Sequence, residues 1–129
     1  ANSIYPTRVA DALLAKAKAG NGDAADFIIK YGLHRRLLGV KNAFSEEDDL
    51  VMLDDLEACN NYQLDLNDLK SIGISISIIL GSKDRLVDLK AVEKFTDIVP
   101  SKTYTMDEVG HFSFFEDPIE LSKLISEIV

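Results

Sequence analysis

An α/β fold built on a pair of parallel strands is what this sequence predicts, and three observations carry the prediction. The first half reads in helical period and is punctuated by glycine. The run IGISISIIL, residues 72–80, then changes to a period of two. Strand, helix, strand and helix follow in that order, which implies parallel pairing through a right-handed crossover.

The elements follow in chain order. Val9, Leu13 and Ala17, flanked by Ala10 and Leu14, recur at helical spacing, and GNG at 20–22 stops that helix. Asp23 is the expected cap of a second helix through Tyr31, with Gly32 ending it. LHRRLLGVKNAF has no period and reads as a loop. Ser45 with Asp48 opens a third helix, in which Met52, Leu56 and Cys59 form an apolar stripe. The acidic run at 46–49 reads as a solvated helix start rather than a metal site, since carboxylates favour the positive end of the helix dipole.

Ile74, Ile76 and Ile78 alternate with Ser75 and Ser77 before the run becomes wholly apolar at Ile79 and Leu80, a strand with a buried end. GSKD breaks it. Val92, Phe95 and Val99 mark an amphipathic helix closed by Pro100, and KTYTM is a second short strand. In the last helix Asp117 caps, Pro118 takes the first position and Glu120 completes a capping box. Leu121, Leu124, Ile125 and Ile128 share one face of it. No internal repeat occurs.

The 129 residues suit one small domain, and 47% hydrophobic residues suffice for a packed core. A net charge of -8 argues against nucleic acid and anionic membranes as partners. Cys59 is the lone cysteine, so no intramolecular disulfide forms. Neither a signal-peptide pattern nor a bilayer-length apolar run is present, so the expected location is cytoplasmic. The opening ANSIYPTRVADALL lacks an initiator methionine, as a processed or trimmed product would.

Two polar residues stand out by position. Asp84 lies just beyond the first strand and His111 just beyond the second. Adjacent parallel strands bring their carboxyl ends to one edge, where open α/β sheets build ligand sites. A carboxylate there fixes the imidazole tautomer and stabilises its protonated form, so the ring can take a proton from a nucleophile. Plainer roles compete: GSKD is good turn chemistry, and a histidine before a capped helix can satisfy local backbone groups. His34, beside Arg35 and Arg36, reads as a surface residue, and Cys59 as core rather than nucleophile. Two distant histidines and one cysteine offer no metal-ligand spacing.

ISIIL-GSKD-RLV, a helix, SKTYTMDEVGHFSFFEDP and a closing amphipathic helix resemble the end of an α/β-hydrolase-fold protein. The most specific part is Gly110, His111, Phe112, Glu116 and Pro118 in a G-H-F…E-x-P arrangement. The resemblance is clear over residues 50–129. It implies Asp84 as the acid and His111 as the base of a triad, with Asp88 a weaker acid candidate that more plausibly caps the next helix. It also implies that Phe112, Phe114 and Phe115 flank an acyl site, core packing being the competing fate for at least two of them. Residues 1–70 would be a helical cap or lid and residues 71–129 the C-terminal part of the core. No cofactor and no metal is implied.

The sequence departs from the family in lacking a proline before IGISIS and, more seriously, any G-x-S-x-G. None of the serines after Ser3 sits in a nucleophile elbow. The implied protein is a hydrolase acting on an ester or related acyl bond of a small molecule, with nucleophile and oxyanion hole outside this chain. Two readings stand beside it: an Asp-nucleophile haloalkane or epoxide hydrolase, and a non-catalytic binding or interaction module. Two strands cannot cover their own edges, so the expected partner is the N-terminal part of the same hydrolase or a second copy of the chain.

Overall fold

A computed structural model describes residues 9–35, 37 and 49–129. Its elements are α1 (Asp11–Ala19), α2 (Asp23–Gly32), α3 (Asp49–Asn61), α4 (Leu66–Ser71), β1 (Ile76–Gly81), α5 (Leu89–Ile98), β2 (Ser101–Met106), α6 (Ser113–Glu116) and α7 (Pro118–Ile128). The strand, helix, strand and helix order of the second half is as the sequence predicts. The expected Ser45–Asp48 helix start, most of the loop after Leu33 and Arg36 lie outside the described residues.

The helical part packs through one apolar cluster. Val9, just before α1, with Leu13 and Ala17 of α1 meet Ala24 and Ala25 of α2 and Met52 of α3, with Phe27, Ile28, Leu53 and Leu56 around them. Small alanines on α2 let the helices approach closely, and the bulky residues close the sides. Gly20 ends α1 in the left-handed conformation at φ 65°, where any other residue is strained.

Two local expectations are corrected, Asp23 as a cap and Cys59 as core. Asp23 is the first residue of α2 rather than its cap; Asn21 Oδ1 accepts from the Asp23 N–H at 3.2 Å. Gly32 is the last residue of α2, as expected, with Leu33 following in extended conformation, and the Phe112 ring lies where a Gly32 Cβ would be. Cys59 is exposed. Its neighbour Asn60 faces α1 and accepts from the Val9 N–H at 3.2 Å, which leaves Cys59 about 100° round the helix from that contact.

The two strands pair in parallel from Ile76↔Ser101 to Gly81↔Met106. Ile74 was expected in the first strand, yet it stays 57% exposed, because its partner strand begins only at Ser101, after Pro100. Asp88 caps α5, its Oδ1 accepting from the Lys90 N–H at 3.0 Å, and Val92 and Val99 are buried beneath that helix.

Asp117 caps α7, accepting from the Glu120 N–H at 3.1 Å, with Pro118 at its start. The capping box is not closed, because the Asp117 N–H donates to Ser113 O at 2.9 Å and the Glu120 carboxylate pairs with Lys123 instead. Replacing Asp117 with alanine is expected to lower stability by about 1 kcal/mol, read as a shift in the urea midpoint. No residue of α7 is fully buried: Leu121, Leu124 and Ile128 are half-covered, while Ile119 and Ile125 stay exposed.

Candidate active site

The parallel ladder continues past the strands and aligns the two loops that follow them. Ser82 N–H donates to Met106 O at 2.8 Å and Lys83 N–H to Val109 O at 2.8 Å. Ser82 Oγ donates to Asp107 Oδ1 at 3.2 Å and accepts from the Glu108 N–H at 2.9 Å. Gly81 makes this approach possible. A Cβ there would collide with the carbonyl oxygens of Val109 and Gly110.

Asp84 and His111, 27 positions apart in sequence, meet at this edge: His111 Nδ1 lies 2.9 Å from Asp84 Oδ2. Asp84 is a turn residue as well as a partner. Its Oδ1 accepts from the N–H groups of Leu86, at 2.8 Å, and Val87, at 3.1 Å. The turn role is thus realised on one carboxylate oxygen, and the other oxygen faces His111. The Asp84 side chain is only 4% exposed and that of His111 37%.

Burial works to raise the Asp84 pKa, but the hydrogen bond from His111, those from Leu86 and Val87, and the imidazolium charge outweigh it. The carboxyl is held below the ordinary carboxylate value. A carboxyl lowered in the folded state stabilises the fold above its unfolded pKa, about 4, and that contribution is lost as pH falls through the folded value. Asp84→Asn is therefore expected to flatten the acid limb of stability against pH. Urea midpoints from pH 7 to pH 3 check this, and parallel curves for the two proteins would refute it.

The turn carrying His111 is anchored on the helical part. His111 N–H donates to Gly32 O at 2.7 Å. Glu116 is buried, and its Oε1 accepts from the Gly110 N–H at 3.0 Å. Its Oε2 accepts from the N–H groups of His34, at 3.1 Å, and Arg35, at 2.8 Å. The His34 ring is a surface group, as read from sequence, and faces Glu108, Nε2 to Oε2 at 3.1 Å; Lys83 Nζ lies 2.9 Å from Glu108 Oε1. These exposed pairs add little energy but link the two loops.

The phenylalanines divide. Phe112 stands edge-on to His111, centroids 5.1 Å apart, and packs against Gly32. Phe114 and Phe115 stack 4.5 Å apart and are exposed, so the core packing weighed for at least two of the three is realised only in part, by Phe112. Sequence reasoning read Gly32 only as a helix end, Gly81 only as part of a strand-breaking turn and Arg35 only as a neighbour of His34. Glu116 it saw only as part of a motif. The signal available was the E-x-P spacing alone. Among the described residues no three His, Cys, Asp or Glu side chains converge as metal ligands would, and no helix is long and apolar enough to cross a membrane.

No family model matches the chain, and no curated protein does. Solved structures do. An esterase from Exiguobacterium antarcticum superposes with a TM-score of 0.76 at 15% identity, covering 92% of this chain and 46% of that one. A thermophilic esterase gives 0.74 at 19% identity, over 95% of this chain and 51% of the other. An N-acyl homoserine lactone degrading enzyme gives 0.73 at 15%, over 93% and 52%. The chain spans about half the length of these structures. It has the fold of the C-terminal half of an α/β-hydrolase. At such identities the likeness is one of fold.

Proposed function

We propose that the chain carries the acid and the base of a hydrolase triad, with Asp84 and His111 in those roles. The observation that carries this is the 2.9 Å contact between His111 Nδ1 and a carboxylate that is nearly inaccessible to water. With Nδ1–H donated to Asp84, the Nε2 lone pair is the free base of the ring. It takes the proton of an attacking hydroxyl and returns it to the leaving group, while Asp84, held ionised, stabilises the imidazolium between those steps. Phe112, Phe114 and Phe115 offer an apolar wall for the acyl group of a small ester.

The nucleophile and oxyanion hole come from outside the sequence given, which holds no G-x-S-x-G. The helices up to residue 70 act as the cap, a reading supported by their separate apolar cluster. The partner is the upstream half of the same fold. Support comes from the twofold greater length of the matching structures, from a sheet of two strands among the described residues, and from the exposed Ile72, Ile74 and Ile119. The test is ester turnover by this chain alone and by the protein completed with its upstream half. Turnover should belong to the completed protein only. A completed protein that binds small esters without cleaving them would mean a binding module.

A further inference from the structure

Glu116 is a charged residue buried to 6% exposure, and, unlike the buried Asp84 carboxylate, it has no part in the proton-transfer steps above. We propose that Glu116 is a positioning residue for His111, fixing through Gly110 the backbone from which the imidazole reaches Asp84. The role rests on the reading of Asp84 and His111 as a proton-transfer pair.

A buried carboxylate is costly unless its oxygens are met by donors. Here the donors are backbone N–H groups from two distant stretches, Gly110 on one oxygen and His34 with Arg35 on the other. Arg35 closes the far side, its Nη1 donating to Glu116 O at 3.3 Å and lying 3.5 Å from Asp117 Oδ2. A glutamate needed only for the first turn of a helix would point to solvent and would not reach residues 34 and 35. Gly110 has no room to move: a Cβ there would lie 2.5 Å from Gly32 O and 2.7 Å from Glu116 Oε1.

The exposure of the histidine makes this anchoring matter. A ring 37% exposed is held only in part by packing against Phe112, so the position of its backbone helps to decide where Nδ1 falls. That backbone is tied on both sides, by Gly110 N–H to Glu116 and by His111 N–H to Gly32 O. Asp84 is tied independently by Leu86 and Val87. Two separately fixed groups then meet in one geometry without ordering the ring at each turnover.

Glu116→Gln isolates the tie to Gly110. The amide oxygen can still accept from His34 and Arg35, while the NH₂ faces the Gly110 N–H, donor against donor. The experiment is nuclear magnetic resonance of the 129-residue chain with labelled histidine and aspartate. In Glu116→Gln the Gly110 amide should exchange at least about tenfold faster. The Nδ1–H tautomer of His111 should lose population, and the Asp84 carboxyl should titrate at higher pH, since burial still pushes it up once the His111 bond weakens. A folded Glu116→Gln chain with unchanged tautomer and unchanged Asp84 titration overturns the proposal. A backbone ester at Gly110 removes the donor N–H and leaves Glu116 intact, and it decides the matter by the same readout should the glutamine chain not fold. Asp84→Asn separates the two readings. If it leaves the His111 tautomer unaltered, the pair itself is wrong; if it shifts the tautomer and Glu116→Gln does not, only the positioning role falls.

Discussion

Replacing His111 with alanine in the protein completed by its upstream half is expected to lower ester turnover by about 10⁴-fold or more, with little change in KM. Asp84→Asn should cost about as much, because asparagine can hold the ring in the wrong tautomer and cannot stabilise the imidazolium. The double variant should be scarcely worse than either single one, since groups that act as a unit lose their effect together. Steady-state kinetics on a short acyl ester measures all three. A His111→Ala protein that retained turnover within tenfold would remove the histidine from the chemistry. Retained binding with no turnover in the unaltered protein would favour an interaction module. An Asp nucleophile upstream would instead show itself by cleavage of haloalkanes or epoxides.

Gly81→Ala is the second large effect, on stability. The added methyl meets the backbone oxygens of Gly110 and Val109, and backbone cannot swing aside as a flexible side chain can. Strand β1 must separate from the histidine turn, breaking the Lys83–Val109 bond and drawing Asp84 away from His111. A loss of about 3 kcal/mol or more is expected. Gly20→Ala is the control: nothing lies within 4 Å of its Cβ, and only the left-handed φ of 65° is strained. It should cost about 1 kcal/mol. Equal thermal midpoints for the two variants would contradict the close packing at Gly81.

Much of this was legible in the sequence because it depends on local pattern. The change from helical period to period two located β1 to within a few residues, and Asp88, Asp117 and Pro118 marked their helix starts by chemistry that acts over three residues. The meeting of Asp84 with His111 followed from topology, since parallel neighbours share an edge. What escaped depends on distant partners. Gly32 ends α2 as its sequence suggests, but the Phe112 ring seated against it shows only in three dimensions. Asn60 stands out only by its contact with Val9, and Cys59 looks like core until that contact orients the helix. Glu116 is one acidic residue among many in a chain of net charge -8, and only its burial distinguishes it.

The bonds from residues 34 and 35 to Glu116 also have a kinetic meaning. They span 82 and 81 positions, so they close long loops. Such closures are costly in entropy and form after local helices and turns have done so. The helices around Ala17, Ala24 and Met52 can assemble early from nearby segments, whereas the histidine turn must wait for residue 116 to be made and to find the end of α2. During synthesis the turn that brings His111 to Asp84 therefore gains its tie at Gly110 only once residue 116 has left the ribosome, and a product cut short before Glu116 would lack that tie.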